Sequence, residues 1–161
     1  MSKNNRARKR LRVYMAGPLF SVAERDYNLR LANALRNRLP QLVFVLPQKR
    51  ASALLPNLAA VVADCFAQVR KADVILACLD GPDADSGTCV EIGYAAALKK
   101  PVFGYRTDFR GSEAKGVNAM LRYGCTEYVR IPSNKFPFRS LVATLASKLR
   151  LICTRRSISG R

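Results

Sequence analysis

The chain has 161 residues, with 28 Lys and Arg against 11 Asp and Glu, a formal net charge of +17 and no histidine. The missing histidine excludes Ser-His-Asp triads, Cys-His pairs and HExxH zinc helices, so acid–base or nucleophilic chemistry falls to other side chains. Hydrophobic residues make up 49% of the chain, which is enough for one folded domain of ordinary size.

Short apolar runs typical of strands alternate with helical patterns from residue 11 onward. Predicted strands cover 11–16, 42–46, 73–79, 101–105 and 127–131, and predicted helices cover 22–38, 57–70, 88–99, 116–123 and 137–153. The run at 73–79 is almost wholly apolar, as is typical of a central parallel strand covered on both faces. Five β-α units in succession predict an α/β fold with a doubly wound, five-stranded parallel sheet and helices on both faces.

The distribution of charge indicates one domain with two basic ends. Residues 1–12 carry six basic side chains and residues 148–161 carry five, with no acid in either segment. We therefore expect a basic tail over 1–10, a single domain over 11–153 and a second basic tail over 154–161. Such tails are either solvated ends or an electrostatic handle for nucleic acid.

The cysteines and the N-terminus bear on where the protein resides. The five cysteines are widely spaced and form no CxxC pair, so we expect reduced thiols in a cytoplasmic protein. The basic start and the mostly apolar segment 11–23 resemble a secretion signal, but Arg12 and Gly17-Pro18 interrupt the apolar run. No segment has the ~18–20 uninterrupted apolar residues of a membrane span. We expect neither a signal peptide nor a membrane partner.

In a doubly wound sheet, ligands bind beyond the carboxyl ends of the strands, near the point where the strand order reverses. Three polar or glycine-containing segments are predicted at that edge, at 16–20, 80–91 and 106–118. The second of them falls in an acidic stretch of an otherwise basic chain. Six of the eleven acids lie between residues 64 and 91, namely Asp64, Asp73, Asp80, Asp83, Asp85 and Glu91.

The segment 80–91 is neither a dinucleotide fingerprint nor a P-loop, because it lacks GxGxxG and GxxxxGK[ST]. Thr88 and Glu91 have the spacing of a helix capping box, which would give Glu91 a purely structural role. Asp85 nevertheless offers a second carboxylate nearby, and Gly87 and Gly93 flank Glu91 with room for a ligand. Paired carboxylates in a chain without histidine suggest glycosyl chemistry.

Four sequence blocks, in order along residues 11–131, resemble the signature motifs of the nucleoside 2-deoxyribosyltransferase family. They are Val13–Ser21 (VYMAGPLFS), Leu79–Ala95 (LDGPDADSGTCVEIGYA), Lys100-Pro101-Val102 with Arg106–Arg110 (RTDFR), and Val117–Leu121 (VNAML). The resemblance implies a flavodoxin-like fold, a homo-oligomer, and transfer of a 2-deoxyribosyl group between nucleobases in nucleotide salvage. Deoxyribonucleosides and free nucleobases would be the substrates, and neither a metal nor a cofactor is expected.

The resemblance also implies roles for individual residues. Glu91 matches the family's nucleophile, which attacks C1′, forms a covalent deoxyribosyl ester and gives net retention. Tyr14 matches the tyrosine that orients this carboxylate, although a buried core tyrosine would have the same pattern. Asp85 matches the aspartate that contacts the sugar or base and helps with protonation.

Further residues are assigned to the substrate by the same resemblance. Asp64 aligns with an aspartate that contacts the leaving base, although it also fits an exposed helix acid. Asp64 and Asp85 are the candidate proton donors if burial raises the pKa of one of them. Asn118 matches a residue that a neighbouring subunit contributes to the sugar 5′-hydroxyl, and Met120 would pack against the ligand.

Phe20 is suited to packing on the flat base, although it also fits a core position, and Gln48 is a candidate for reading the base edge. Gly17 and Gly87 complete the predicted substrate site. The chain departs from some members at its C-terminus, where Ser157–Arg161 has no terminal aromatic residue. Nothing is carried over from that end.

Two alternatives remain open at the level of sequence. One is a 2′-deoxynucleoside 5′-phosphate N-hydrolase, which uses the same glutamate but passes the sugar to water; the resemblance places a serine there where this chain has Asn118. The other is a nucleotide- or RNA-binding module that has kept the fold and lost the chemistry. An intact Glu91 with Tyr14 and Asp85 argues against lost chemistry, so nucleic acid is the less favoured partner.

Overall fold

The computed structural model of the chain describes residues 10–108, 117–131 and 138–159. Most of the predicted N-terminal tail, the Phe109-Arg110 pair of the third block and the last two residues of the C-terminal tail lie outside these ranges. Within them the strands are β1 (Leu11–Ala16), β2 (Leu42–Val45), β3 (Val74–Cys78), β4 (Val102–Arg106) and β5 (Glu127–Arg130). The helices are α1 (Val22–Arg38), α2 (Pro47–Leu54), α3 (Leu58–Lys71), α4 (Ser86–Ala97), α5 (Ala119–Gly124) and α6 (Phe138–Ser159).

The strands form one parallel sheet in the order β2-β1-β3-β4-β5. The predicted five-stranded, doubly wound parallel sheet is therefore confirmed. The chain moves outward from β1 to β2, and then crosses back so that β3 pairs with the other side of β1. This reversal places the topological switch point between the carboxyl ends of β1 and β3, where α/β proteins bind ligands.

Alternation along the strands divides the core between the two faces of the sheet. Val13 and Met15 of β1 pack in a cluster that includes buried residues of α1 and α6. Tyr14 and Ala16 point to the opposite face, in a cluster with buried residues of α3 and α4. Successive strand side chains point to opposite faces, so the sequence of β1 directs Tyr14 toward the helices that follow β2 and β3.

Helices α2 and α6 depart from the sequence prediction. Helix α2 was not predicted, because Pro47 was interpreted only as the end of the second strand. Proline also fits the first position of a helix, where the missing N–H has no partner to lose, and Pro47 opens α2 in this way. Helix α6 continues beyond the predicted end at residue 153 to Ser159.

Helix α4 begins at Ser86 rather than at the predicted Thr88, and the predicted capping box is wrong. Asp85 is the N-cap, and its Oδ2 accepts hydrogen bonds from the Thr88 backbone N–H (2.8 Å) and hydroxyl (2.9 Å). Aspartate caps at least as well as threonine, and its earlier position starts the helix two residues sooner. Glu91 is therefore released from the capping role.

Two further features of the described residues concern the thiols and the helices. All five cysteines are free thiols, as the sequence predicts. None of the helices in the described ranges combines the length and the apolar character needed to cross a bilayer.

Candidate active site

A tyrosine and a glutamate meet between the sheet and α4. Tyr14 is completely buried in β1, and its hydroxyl donates a hydrogen bond of 2.5 Å to Oε1 of Glu91. Glu91 lies in the second turn of α4, on the side that faces β1. The sequence separation of 77 residues is bridged because β1 and β3 are neighbours and α4 packs over both. The structure thus brings together Glu91, the predicted nucleophile, and Tyr14, the residue predicted to orient it.

The surroundings of Glu91 make its carboxyl group easy to protonate. Burial raises its pKa from 4.5 to about 7, and the negative charge of Asp85 acts in the same direction. The hydrogen bonds from Tyr14 and Cys65 oppose this effect, because they favour the ionised form. Burial and the adjacent glutamate raise the pKa of Tyr14 well above its usual range, so its hydroxyl stays a donor.

Cys65 is a third member of this cluster, and sequence reasoning missed it. Its side chain interacts with both Tyr14 and Glu91, and burial raises the pKa of its thiol. The sequence singled out the preceding residue, Asp64, as a site residue. Cys65 lies four residues before the buried Val69 in α3, and this spacing would have placed it on the inward face of the helix.

Asp85 lies at the start of α4, six residues before Glu91, which corresponds to about 9 Å along a helix axis. One of its oxygens caps the helix through Thr88, and its charge is close enough to raise the pKa of Glu91. A side chain at Gly87 would have its Cβ 3.3 Å from Oδ2 of Asp85, so glycine leaves this carboxylate uncrowded.

The loop before α4 is fixed to the loop after β4. Asp80 accepts hydrogen bonds from the Thr107 N–H and hydroxyl, both 2.6 Å, and from the Asp108 N–H at 2.9 Å. Asp108 in turn accepts the Gly81 N–H at 3.1 Å. These bonds tie two edge loops together, so Asp80 has a structural role that the acidic sequence cluster did not reveal.

A buried arginine holds the same loop through its backbone carbonyl groups. Arg106 is 1% exposed and donates to the carbonyl oxygens of Leu79 (2.6 Å) and Gly81 (2.8 Å). Gly81 has a φ of +118°, a conformation that side chains rarely adopt, so glycine is needed for this turn. The chain therefore enters α4 from a loop held at several points.

Asp64 is placed differently from the sequence prediction. It forms a two-pronged ion pair with Arg50 of α2, at 2.5 and 2.6 Å, and also accepts a hydrogen bond from Gln68. The Arg50 guanidinium holds the pKa of the Asp64 carboxyl below its usual range. Asp64 therefore does not meet the condition set for a proton donor, which was a pKa raised by burial.

The segment after β1 forms the other wall of the switch point. Gly17 lies against β3, where an added Cβ would come within 3.1 Å of the Cβ of Cys78. Gln48 donates to the Arg25 carbonyl oxygen and accepts from Asn28, so α1 holds it beside this segment. Phe20 is 74% exposed rather than part of the core.

Asn118 and Met120 lie at the start of α5, beside a cavity next to the loop that leads into α4. Asn118 caps α5 through the Met120 N–H (2.8 Å), and Met120 is 82% exposed. Both line a cavity of about 740 Å³ whose opposite wall is formed by residues 82–84. Neither Tyr14 nor Glu91 lines this cavity.

A partly buried carboxylate, held by a tyrosine at the switch point of a parallel sheet, is typical of an α/β enzyme with a carboxylate at its reactive centre. The sequence model of the family described as nucleoside 2-deoxyribosyltransferase matches residues 13–120. The chain belongs to this family. Its activity is of the deoxyribosyl-transfer or glycosidase type, and its substrates are nucleosides and nucleobases.

Solved structures with the same fold include members of the named enzyme class. A conserved protein from Enterococcus faecalis is 27% identical, with a TM-score of 0.68 over 86% of this chain and 98% of that chain. A 2-desoxiribosyltransferase from Leishmania mexicana is 22% identical (TM-score 0.59, 85% and 97% covered). A 2-deoxyribosyltransferase from Bacillus psychrosaccharolyticus is 20% identical (TM-score 0.60, 81% and 95% covered). Among curated protein sequences, no significant match is found.

The raised pKa of Glu91 predicts that its ionised carboxylate lowers the free energy of unfolding at neutral pH. The folded state binds the Glu91 proton more tightly than the unfolded state does. The protonated carboxyl group therefore adds to the free energy of unfolding below pH 4.5, and this contribution is lost as pH rises to about 7. Glu91→Gln does not titrate and should gain about 1–3 kcal/mol relative to the wild type across that range, measured by urea unfolding.

Glu24→Gln is a matched control with the opposite sign. Glu24 completes the capping box of α1, and hydrogen bonds from the Ser21 and Phe20 N–H groups lower its pKa. This variant should lose stability relative to the wild type as pH rises. A difference between wild type and Glu91→Gln that does not change with pH would contradict the account of Glu91.

Proposed function

We propose that the chain transfers a 2-deoxyribosyl group from one nucleobase to another, with Glu91 as the nucleophile. The observation that carries this proposal is the hydrogen bond from the buried Tyr14 to Oε1 of Glu91. It holds the carboxylate at the carboxyl edge of the sheet through Oε1, and we propose that Oε2 is the oxygen that attacks. A desolvated carboxylate is also a better nucleophile than one surrounded by water.

The reaction proceeds in two displacements. Oε2 of Glu91 attacks C1′, the C1′–N bond breaks, and its electron pair goes to the base nitrogen, which takes up a proton. A second base then attacks C1′ from the opposite side, breaks the C1′–O bond and restores the carboxylate. Its attacking nitrogen gives up a proton, which balances the proton taken up by the first base. Two inversions give net retention at C1′.

The substrate and the site suit each other chemically. Positive charge develops on the sugar ring in the transition state, and a sugar without a 2′-hydroxyl lacks one electron-withdrawing group that would oppose it. One positioned carboxylate then provides much of the stabilisation. Tyr14 remains protonated, so it donates to Glu91 both before and after the ester forms.

Asp85 supplies the second carboxylate of the site. Its placement at the start of α4, with Gly87 leaving it uncrowded, supports a contact with the sugar or base. Its charge beside Glu91 disfavours a substrate with a phosphate dianion, so we propose a free 5′-hydroxyl. On the β1 side, we propose that exposed Phe20 packs on the base and that Gln48 reads its edge.

We propose a homo-oligomer in which Asn118 of one subunit reaches the sugar 5′-hydroxyl in its neighbour. Asn118 is exposed, and it lines a cavity that neither Tyr14 nor Glu91 lines. Met120 and Tyr123 are 82% and 83% exposed on the same short helix, and Val90 of α4 is 55% exposed. Apolar exposure of this kind is typical of a subunit interface.

Transfer is tested by incubating the protein with deoxyinosine, with and without adenine, and following the products by chromatography. We expect deoxyadenosine in the presence of adenine and little free hypoxanthine in its absence. Glu91→Ala should lose at least about a thousandfold in turnover, because a covalent nucleophile is removed. Glu91→Gln keeps the shape and the bond from Tyr14, and it should be equally inactive.

Other outcomes of this assay identify other functions. Hypoxanthine release at the same rate with and without adenine would indicate hydrolysis and contradict transfer. A strong preference for deoxyinosine 5′-monophosphate would contradict the free 5′-hydroxyl. Retained turnover in Glu91→Ala would contradict the proposed nucleophile.

The pH dependence of kcat/KM tests the electrostatics of the site. The carboxylate is the reactive form, so the rate should rise with pH through the Glu91 pKa of about 7. Tyr14→Phe removes a hydrogen bond that favours the ionised form of Glu91, so it should move the rising limb of the pH–rate profile to higher pH. Asp85→Asn keeps an oxygen for the helix cap but removes a repelling charge, and it should move the limb to lower pH.

Cys65 provides a graded comparison within the same cluster. Cys65→Ala loses the hydrogen bond that lowers the Glu91 pKa and should shift the limb upward, whereas Cys65→Ser retains a donor and should shift it less. Shifts of the same sign for Tyr14→Phe and Asp85→Asn would contradict the assignment of these contacts.

A further inference from the structure

A strongly basic surface lies at the amino edge of the sheet, opposite the site described above. Parallel strands all begin at one edge, and the helices that lead into them end there. At this edge a groove of about 610 Å³ is lined by five basic side chains, namely Arg12, Arg50, Arg70, Lys71 and Lys100. Two negative charges offset part of this: Asp73 lines the groove, and Asp64 pairs with Arg50. The net charge of the groove is then +3.

Two of these cations are held by neutral partners, so their charge is not cancelled. Arg12 donates to the side-chain oxygen of Gln68 at 3.1 Å, and Lys100 donates to the Ala72 carbonyl oxygen at 2.6 Å. The Nε of Arg12 is buried and has no partner among the described residues. These contacts orient the cations but leave their positive potential for an external anion.

The cations follow the order of the strands. Arg12 is the second residue of β1, Lys71 ends the helix before β3, and Lys100 lies two residues before β4. These three strands are neighbours in the sheet, and adjacent strands lie roughly 5 Å apart, so the row extends over roughly 10 Å. A row of cations in a polar groove fits a linear chain of phosphates better than it fits a compact anion.

Further basic residues lie at the start of the sequence and in α6. Residues 1–9 precede Arg10 at the start of β1 and include Lys3, Arg6, Arg8 and Lys9 in the sequence. The C-terminal half of α6 reaches this edge as well, where Arg150 donates to the Arg38 carbonyl oxygen at the end of α1. Arg150 therefore adds a basic side chain to this edge of the domain.

We propose that this amino-edge groove is a nucleic-acid-binding surface that contacts the phosphodiester backbone without reading the sequence. Such binding is driven by release of counterions and needs cations spaced along the strand. The acids of the site, including Asp80, Asp85 and Glu91, follow the opposite ends of the strands. Nucleic acid at the groove therefore leaves the nucleoside site accessible.

The experiment measures binding of the full chain to a fluorescently labelled single-stranded oligonucleotide of mixed sequence by anisotropy. Binding should weaken steeply with salt, with a slope near −3 in log K against log salt for about four phosphate contacts. Arg70→Glu with Lys71→Glu should weaken binding at least about tenfold and lower the slope by one to two. Both side chains are exposed, and the transfer activity of this variant should stay unchanged.

The matched control is Lys49→Glu with Arg139→Glu. It changes the net charge by the same amount at two exposed residues in the first turns of α2 and α6, near the carboxyl edge. This variant should bind within about threefold of the wild type. Arg70→Gln with Lys71→Gln should give an intermediate loss, and it avoids acidic residues at a helix C-terminus.

Four results would overturn the proposal. They are salt-insensitive binding, equal losses in the two charge-reversal variants, full binding by Arg70→Glu with Lys71→Glu when residues 1–9 are present, and capture by phosphatidylserine vesicles without oligonucleotide binding. The last result would assign the groove to membrane surfaces instead. None of these outcomes depends on whether the chain transfers or hydrolyses deoxyribonucleosides.

Discussion

The hydrogen bond between Tyr14 and Glu91 is the interaction on which the site depends. It joins β1 to α4 and requires three independent features of the fold: the alternation that turns Tyr14 toward α4, the pairing of β1 with β3, and the start of α4 at Asp85. Burial makes the carboxylate costly to ionise, and the tyrosine offsets part of that cost. The folded protein is therefore less stable than it would be with a neutral residue at position 91, as is common where function needs a perturbed charge.

The carboxylates of the nucleoside site and the basic groove lie at opposite edges of one sheet. Several acids that cluster in the sequence are structural: Asp80 fixes two loops, Asp64 pairs with Arg50, and Asp73 accepts the Arg12 N–H. Among the described residues, Glu91 receives hydrogen bonds from Tyr14 and Cys65, which both belong to the site. The same topology that gathers loop carboxylates at the carboxyl ends of the strands gathers helix-ending and strand-starting bases at the amino ends. One edge suits a nucleoside, and the other suits a polyanion.

Much of the fold follows from local sequence patterns. Strand β3 is a continuous apolar run, Asn57 is a typical N-cap residue and caps α3, and β-α alternation determines the parallel sheet. Competing local signals account for the misses: Pro47 both ends a strand and opens α2, and Asp85 and Thr88 compete to cap α4. Contacts between distant segments were not visible in the sequence. The ion pair that lowers the Asp64 pKa and the approach of Cys65 to Glu91 depend on how α2 and α3 pack.

The central claim is that Glu91 bears the sugar during the reaction. The most direct test is intact-protein mass spectrometry after acid quenching of the protein with deoxyinosine and no acceptor base, followed by peptide mapping. The account predicts one added 2-deoxyribosyl group on the peptide that contains Glu91, its loss on addition of adenine, and its absence in Glu91→Gln. A sugar adduct on another residue, or transfer by the Glu91→Gln variant, would contradict it.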